Sequence, residues 1–305
     1  MKKIFVLILA ALLSLSCLAF AACSGETVDP GQTNQPGGTQ PDNGAATPEN
    51  MIDCYIQFSG TSYTASEPSG IRVDGSALTI IKPGTYEISG TLDNGQIAVE
   101  VTKAERVTLI LNNFTGHNES SAVIWVKSAD KVYLEIKDGT TNTLTDGATY
   151  VFPSPAETKP NACIYASDDL SIKGHGTLIV TGNYNNGIGC KNDLSINNAK
   201  VTVKAVNNAV KGNSSVTVKG DADLLVEGAE DAVKTDSLDV GKGFLLITEN
   251  AKVTVYCDDD GLQATQDITV TTGATVTTYA KGNAVNCDGT VNIDEGCLTE
   301  NVPEV

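Results

Sequence analysis

Short runs of alternating aliphatic and polar residues follow one another along residues 51–305. Examples are "VTLIL", "VYLEI", "TLIV", "VTVKA", "SVTVKG" and "ITVTT". Alternation with a period of two is typical of strands that bury one face, whereas the helical period is almost absent from this region. The pattern therefore predicts an all-β domain built from many short strands.

One segment recurs in the second half of this region, and each copy places two polar or small residues before an aliphatic residue. A second aliphatic residue follows six positions later, or five in the fourth copy. The copies are "NACIYASDDLSI", "NNGIGCKNDLSI", "NNAVKGNSSVTV", "EDAVKTDSLDV", "DDGLQATQDITV" and "GNAVNCDGTVNI". Their first aliphatic residues are Ile164, Ile188, Val210, Val233, Leu262 and Val285, at steps of 24, 22, 23, 29 and 23 residues.

A nearly constant step of about 23 residues indicates that each copy is one coil stacked on the previous coil. A single coil cannot bury its apolar side, but its neighbours can cover it. The predicted fold is a right-handed, single-stranded parallel β-helix, which is a solenoid. We expect residues 55–147 to form less regular coils that close its N-terminal end.

The cysteines of the predicted β-helix are interpreted mostly as small core residues. Because residues two apart share a face of a strand, Cys190 and Cys287 are expected to point inward. Cys163 occupies the opposite phase of the alternation and is not expected to share that face. It is offset from Cys190 by about three residues along the neighbouring strand, or roughly 10 Å, which exceeds the reach of a disulfide. The repeat does not place Cys54 or Cys297.

The N-terminus has a different character from the repeats. "MKKIFVLILAALLSLSCLAFAAC" combines two lysines, an apolar run and small residues before Cys23, which is the pattern of a secretory signal. "FAAC" resembles a lipobox, although Phe20 stands where Leu is usual; Cys17 has a poorer context. We predict a lipoprotein signal peptide at residues 1–22 and lipidation of Cys23.

Residues 23–50 are rich in Gly, Pro, Thr and Asn and have almost no large aliphatic residues. They cannot build a core and are predicted to form a tether that lifts the domain at residues 51–305 from a surface. The sequence thus predicts an exported protein, held by lipid on the extracellular face of the cell membrane. The Gram type of the envelope stays open.

The charge restricts the possible partners. The formal net charge is −17, and removal of Lys2 and Lys3 with the signal would make it −19. Basic patches are absent from the sequence, which argues against nucleic acid as a partner. An acidic surface also repels acidic polymers unless cations intervene. We expect a monomer.

Several long motifs resemble a known family. "GTYEISGTLDNGQIAVEV", "VTLILNNFTG", "DGTTNTLTDG", "DDLSIKGHGTLIVTGNYNNGI" and "KNDLSINNAKVTVKA" look like the bacterial carbohydrate-binding β-helix family of exported, calcium-containing proteins. That family is similar in fold to the family 9 polysaccharide lyases. The resemblance covers nearly all of residues 55–293. It implies binding of plant cell-wall polysaccharide, acidic pectic chains in particular, and calcium in the structure.

Stacking of the coils also places acidic residues beside one another. The residues two before the aliphatic positions are Ala162, Asn186, Asn208, Asp231, Asp260 and Asn283. The residues before those are Asn161, Asn185, Asn207, Glu230, Asp259 and Gly282. Four carboxylates therefore fall on two successive coils, about 4.8 Å apart, where like charges repel by roughly 1 kcal/mol in water and more where the dielectric constant is lower.

Calcium prefers six to eight oxygen ligands and would convert this repulsion into attraction. We predict a calcium site formed by Asp231, Asp259, Asp260, Glu230 and Asn208. The alternative is a solvated acidic corner continuing a ladder of stacked asparagines, and that ladder needs no ligand. The longer step of 29 residues between Val233 and Leu262 threatens the predicted site, because it could change which coils are neighbours.

Candidate carbohydrate-binding residues are few. Lys211 and Lys234 directly follow inward aliphatic residues, so both should point outward near the carboxylates of the predicted calcium site. Their simplest role is to balance the acidic charge. Tyr184 and Tyr279 are candidates for stacking against sugar rings, or else they shield an edge.

Three functions stay open. A pectate-type lyase uses calcium to acidify a C–H bond of the uronate and a base, often lysine, to remove the proton. A surface stalk or adhesin would use the β-helix as a spacer only. We favour a surface-anchored polysaccharide-binding protein over an enzyme, and we assign no catalytic residue.

Overall fold

The computed structural model describes residues 51–301. The predicted signal peptide, the tether at residues 23–50 and the predicted lipidation site Cys23 lie outside the described residues. Within residues 51–301, no helix is both long enough and apolar enough to cross a bilayer. A short 3-10 helix spans Pro68–Gly70, and the regular structure is otherwise built mainly from strands.

The N-terminal strands include two hairpins and the longest strand. They are β1 (Cys54–Gly60), β2 (Ser62–Ala65), β3 (Ile71–Asp74), β4 (Ala77–Ile80), β5 (Gly84–Leu92), β6 (Gln96–Glu100), β7 (Arg106–Asn118), β8 (Ile124–Ser128), β9 (Lys131–Ile136) and β10 (Thr141–Asp146). β1 pairs with β2, and β3 with β4, in antiparallel fashion.

The remaining strands carry the sequence repeats. They are β11 (Ala162–Ala166), β12 (Asp169–Gly174), β13 (Thr177–Gly182), β14 (Asn186–Cys190), β15 (Asp193–Asn197), β16 (Lys200–Ala205), β17 (Val210–Gly212), β18 (Ser215–Lys219) and β19 (Asp223–Glu227). The last strands are β20 (Val233–Lys234), β21 (Phe244–Ile247), β22 (Lys252–Cys257), β23 (Leu262–Ala264), β24 (Ile268–Val270), β25 (Thr275–Ala280), β26 (Val285–Cys287), β27 (Val291–Ile293) and β28 (Leu298–Glu300).

Each regular coil contributes three strands before the chain returns beside its starting point. After β12, β13 and β14, the next strand, β15, pairs in parallel with β12, and β16 then pairs with β13. The described strands form an 18-stranded sheet and a 10-stranded sheet. Each regular coil adds two strands to the 18-stranded sheet and its third strand to the 10-stranded sheet, which contains β11, β14, β17, β20, β23 and β26. We call the 10-stranded sheet, with its outer surface, the third face. These pairings confirm the predicted parallel β-helix.

The repeat also predicts the register. The six aliphatic residues that set the repeat are partners on successive strands of the third face: Ile164, Ile188, Val210, Val233, Leu262 and Val285. The first five are buried, and Val285 is partly buried. The position before each of these aliphatic residues favours a small side chain for steric reasons. At Gly187, for example, a Cβ atom would lie 2.3 Å from Val203 Cγ1.

The longer step between Val233 and Leu262 does not disturb the stack. The additional residues form a segment at 235–243, between β20 and β21, where Leu238 and Val240 are exposed. Val233 remains the register partner of Leu262, so β20 and β23 stay neighbours. The insertion follows Glu230 and Asp231 in the chain, so the acidic residues of these two coils remain neighbours.

All six cysteines of the described residues are free thiols, as the small-core interpretation expects. Cys54 and Cys297, which the repeat could not place, are buried. Cys163 differs from the expected parity, because it lies in the main core beside Ile164. Strict alternation fails there because the chain has just turned a corner into β11, and Ala162 instead packs in a separate small cluster outside the main core.

Candidate metal and carbohydrate site

Three carboxylates meet at the corner that precedes β20 and β23. Asp231, Asp259 and Asp260 each offer an oxygen atom, and these atoms all lie within 4.8 Å of one another. Asp231 is 4% exposed and Asp260 3%, whereas Asp259 is exposed. We call these three residues the acidic trio. The repeat brings them together because the parallel pairing of β20 with β23 aligns equivalent slots on successive coils.

The acidic trio continues a ladder of asparagine side chains. The backbone amide and Nδ2 of Asn208 donate to Oδ1 of Asn186 at 3.2 and 2.8 Å. One coil beyond the trio, the backbone amide and Nδ2 of Asn283 donate to Oδ1 of Asp260 at 3.0 and 2.9 Å. Within the trio, the amide of Asp260 donates to Asp231 Oδ1 at 3.2 Å. The predicted ladder therefore exists, and aspartates occupy two of its positions.

Side chains on the third face partly neutralise the trio. Lys234 Nζ lies 2.8 Å from Asp231 Oδ2. The side-chain amides of Asn286 and Gln263 donate to Asp260 Oδ2, the latter at 3.4 Å. Burial raises the pKa of Asp260, but the hydrogen bonds from Asn286 and Asn283 outweigh it, so this pKa lies below its ordinary value. Asp260 is therefore held as a carboxylate.

Two further predicted ligands occupy different positions. Oδ1 of Asn208 is buried and has no hydrogen-bond partner within residues 51–301. By register Asn208 neighbours Asp231, so this buried oxygen is an unused acceptor of the ladder beside the trio. Glu230 is exposed, and its carboxylate is not among the three that converge.

These residues fit a hard divalent cation. Two oxygens bound to one calcium ion at about 2.3 to 2.6 Å can be about 5 Å apart, which accommodates atoms that lie within 4.8 Å of one another. Each carboxylate oxygen has two lone pairs, so an existing hydrogen bond does not prevent metal ligation. Lys234 is the local competitor, because its ammonium is ion-paired with Asp231. The trio and Asn208 are the residues that would hold calcium.

The two predicted lysines lie side by side on the third face. Lys211 and Lys234 are register partners on β17 and β20. Lys211 forms an ion pair with Asp236, and Lys234 pairs with Asp231. Their predicted outward direction is correct, but only Lys234 contacts the trio.

The two predicted tyrosines are both stacked on other tyrosines. The ring of Tyr184 lies 4.1 Å from the ring of Tyr150, at 12° between the planes, and Tyr279 lies 4.4 Å from Tyr256, at 7°. One face of each predicted tyrosine is therefore covered by protein. The Tyr256–Tyr279 pair lines a cleft of about 370 Å³ together with Glu227 and Lys281.

Two residues on the third face were missed by sequence reasoning. Tyr165 follows Ile164 as Lys211 follows Val210, so the two residues occupy equivalent positions of the repeat. The argument that selected Lys211 could therefore also have selected Tyr165. Lys159 comes from the irregular segment between β10 and β11, which contains no repeat and gave no signal. Both residues line a cleft with Lys211.

The chain is similar to proteins described as carbohydrate-binding. The family model described as "Carbohydrate-binding domain-containing protein" matches residues 74–301. A protein of that description from Acetivibrio thermocellus is 39% identical over 259 residues, which cover 84% of this chain and 90% of the relative.

A solved structure is also similar in sequence and fold. It is titled the polysaccharide lyase-like protein from C. thermocellum, gadolinium derivative, and matches with a TM-score of 0.79 and 39% identity. The match covers 82% of this chain and all of that one. The chain belongs to the family of carbohydrate-binding domain-containing proteins.

Proposed function

We propose that this domain binds acidic plant cell-wall polysaccharide, pectic chains in particular, and that calcium held by the acidic trio takes part in binding. The observation that carries the proposal is the convergence of Asp231, Asp259 and Asp260 within 4.8 Å in a carbohydrate-binding domain. Calcium bound there would supply positive charge toward the carboxylates of the polymer.

Charge supports the need for a cation. A chain with a formal charge of −17 repels a polyuronate at long range, and a divalent ion between them offsets part of that repulsion where the polymer makes contact. Asp259 is the exposed member of the trio, so the ion would lie where a polymer can reach it. The two predicted tyrosines, Tyr184 and Tyr279, can each offer at most one ring face to a sugar, because the other face is covered.

Retention of the full chain on insoluble polygalacturonate, with calcium or with a chelator, tests the proposal. We expect retention in calcium and a large loss in chelator. Asp259→Asn should remove the calcium-dependent part of the retention. Asp258→Asn is the matched control, because Asp258 is adjacent and exposed but pairs with Lys281 instead of joining the trio.

Retention that is equal with and without chelator would contradict the calcium part of the proposal. Equal loss in Asp258→Asn and Asp259→Asn would indicate a general charge effect. Absence of binding to any cell-wall polymer would contradict the polysaccharide part and favour the stalk or adhesin.

A calcium-dependent lyase is the second candidate, favoured by Lys234 beside the trio. A lyase needs a base that removes a proton from the uronate. Lys234, however, is ion-paired through its ammonium with Asp231, and an ammonium cannot accept a proton. We therefore favour binding without catalysis. Formation of unsaturated uronate by the wild-type chain, and its loss in Lys234→Gln, would reverse this preference.

We also propose that the protein is an exported, monomeric lipoprotein anchored on the extracellular face of the membrane through Cys23. The signal-like sequence and the "FAAC" motif support this proposal. Cys23→Ser should release the protein from the membrane fraction into the medium. Membrane retention of that variant would contradict anchoring at Cys23.

A further inference from the structure

A second cleft lies on the third face, across β11, β14 and β17. Its volume is about 490 Å³, and three lysines line it: Lys159, Lys191 and Lys211. Ligand clefts are typically about 300 to 1,000 Å³. We call this feature the lysine cleft.

Positive charge dominates the lysine cleft, although the chain as a whole is strongly acidic. Asp236 is the single acidic residue among those that line it, and this residue pairs with Lys211. Neither Lys159 nor Lys191 forms an ion pair within residues 51–301. Partial desolvation, together with the charges of Lys211 and Lys191, lowers the pKa of Lys159. The lysines thus repel one another, and a bound anion would relieve that repulsion.

The rest of the lining suits a sugar. Tyr165 is 4% exposed and forms part of the floor, with Lys159 Nζ 5.3 Å from the centre of its ring. A Cβ atom on Gly189 would lie only 3.1 Å from Ala162 Cβ, so glycine avoids a tight contact in this wall of the cleft. Asn161 and Asn213 add amide groups that can bond to sugar hydroxyls.

We propose that the lysine cleft binds the carboxylate of a uronate residue directly, without a metal ion. The inference rests on the proposed function, because its ligand is the same acidic polysaccharide. Ammonium–carboxylate contacts supply the attraction, and the amides of Asn161 and Asn213 can bond to the sugar hydroxyls. The cleft and the acidic trio share one sheet, and β14 is two strand spacings, or roughly 10 Å, from β20. One polymer chain can therefore reach both.

Titration of the full chain with an oligogalacturonate in chelator, followed by calorimetry, tests the proposal. The double variant Lys159→Gln/Lys191→Gln should weaken binding about tenfold or more, because two charged contacts are lost. Lys159→Arg/Lys191→Arg keeps the charge and should retain most of the affinity. Lys219→Gln/Lys252→Gln is the matched control; both residues lie on strands of the other sheet, and binding should change less than about twofold.

A second variant should act in the opposite direction. Asp236→Asn removes the one acidic side chain of the cleft and releases Lys211 from its ion pair, so affinity for oligogalacturonate should rise several-fold.

The methyl-esterified oligomer, which has the same backbone without the charge, should bind weakly and respond to none of these substitutions. Trp125, the single tryptophan of the chain, packs against the small cluster that contains Tyr165 and reports binding locally by fluorescence.

The outcomes separate this inference from the proposed function. Binding that requires calcium, depends on Asp259 and is unaffected by the lysine substitutions would overturn the inference and leave the proposed function standing. Binding in chelator that depends on Lys159 and Lys191 would support the inference even if Asp259→Asn had no effect. No binding of the oligomer in chelator by the wild-type chain would overturn the inference.

Discussion

The backbone amide of Asp260 donates a 3.2 Å hydrogen bond to Oδ1 of Asp231, 29 residues earlier in the chain. The bond crosses from one coil to the next and repeats the contact that Asn208 makes with Asn186. Aspartate can replace asparagine in this ladder because its oxygen accepts the same backbone hydrogen bond. The substitution adds negative charge and keeps the backbone hydrogen bond, and so places the carboxylates that we propose as calcium ligands.

The Lys234 ammonium should compete with calcium for Asp231. Lys234→Gln removes a positive charge 2.8 Å from a proposed ligand, so calcium affinity should increase about fivefold or more. Calorimetric titration with calcium measures the change. Lys219→Gln, on the other sheet, is the control. Unchanged or weaker affinity in Lys234→Gln would mean that the ion does not bind at the acidic trio.

The ladder should contribute to stability wherever it is buried. Asn186→Ala removes the acceptor of two hydrogen bonds from Asn208 and should lower the free energy of unfolding by about 1 to 3 kcal/mol. Asn185→Ala is the control, because Asn185 accepts one bond of 2.9 Å from Asn207 in a partly exposed position and should cost less. Urea denaturation compares the two, and equal costs would contradict a special role for the buried ladder.

Stability in acid should depend on Asp260. Burial raises the pKa of Asp260, but hydrogen bonds from Asn286 and Asn283 bring it below its ordinary value of about 3.9. A lowered folded-state pKa contributes stability above the unfolded-state pKa, and this contribution is lost as the pH falls through the folded-state pKa. The difference in unfolding free energy between wild type and Asp260→Asn, measured in chelator, should therefore shrink below about pH 4. A difference independent of pH would contradict this assignment.

The buried thiols should react slowly in the folded protein. Burial raises the pKa of Cys190 to about 12 and that of Cys257 to about 11, and it also raises the pKa of Cys163 well above its ordinary value. Cys287 is partly exposed, so an aromatic disulfide reagent should label it before these three. Peptide mapping by mass spectrometry identifies the labelled sites. Early labelling of Cys163 would contradict its place in the core.

The repeat predicted more than the fold class. The spacing of Ile164, Ile188 and Val210 predicted parallel strands in register, because every coil must present an aliphatic residue to the same core. Stacking then predicted that Asp231 and Asp260 would be neighbours, even though the step between their coils was irregular. Alternation was less reliable at the start of a strand, as Cys163 shows, since its side chain joins the core beside that of Ile164 where the chain enters β11 from a corner.

The repeat alone specified the coil, its step, most of its inward residues and the column in which the carboxylates meet. These features depend on a local period that every copy repeats. The pairing of long side chains, such as that of Lys234 with Asp231, and the stacking of the tyrosine rings were set by tertiary contacts. The tertiary structure also decided that Lys159, from an irregular segment, joins Lys191 and Lys211 in one cleft. Side-chain direction and irregular segments depend on neighbours from other coils, and no period along the chain encodes them.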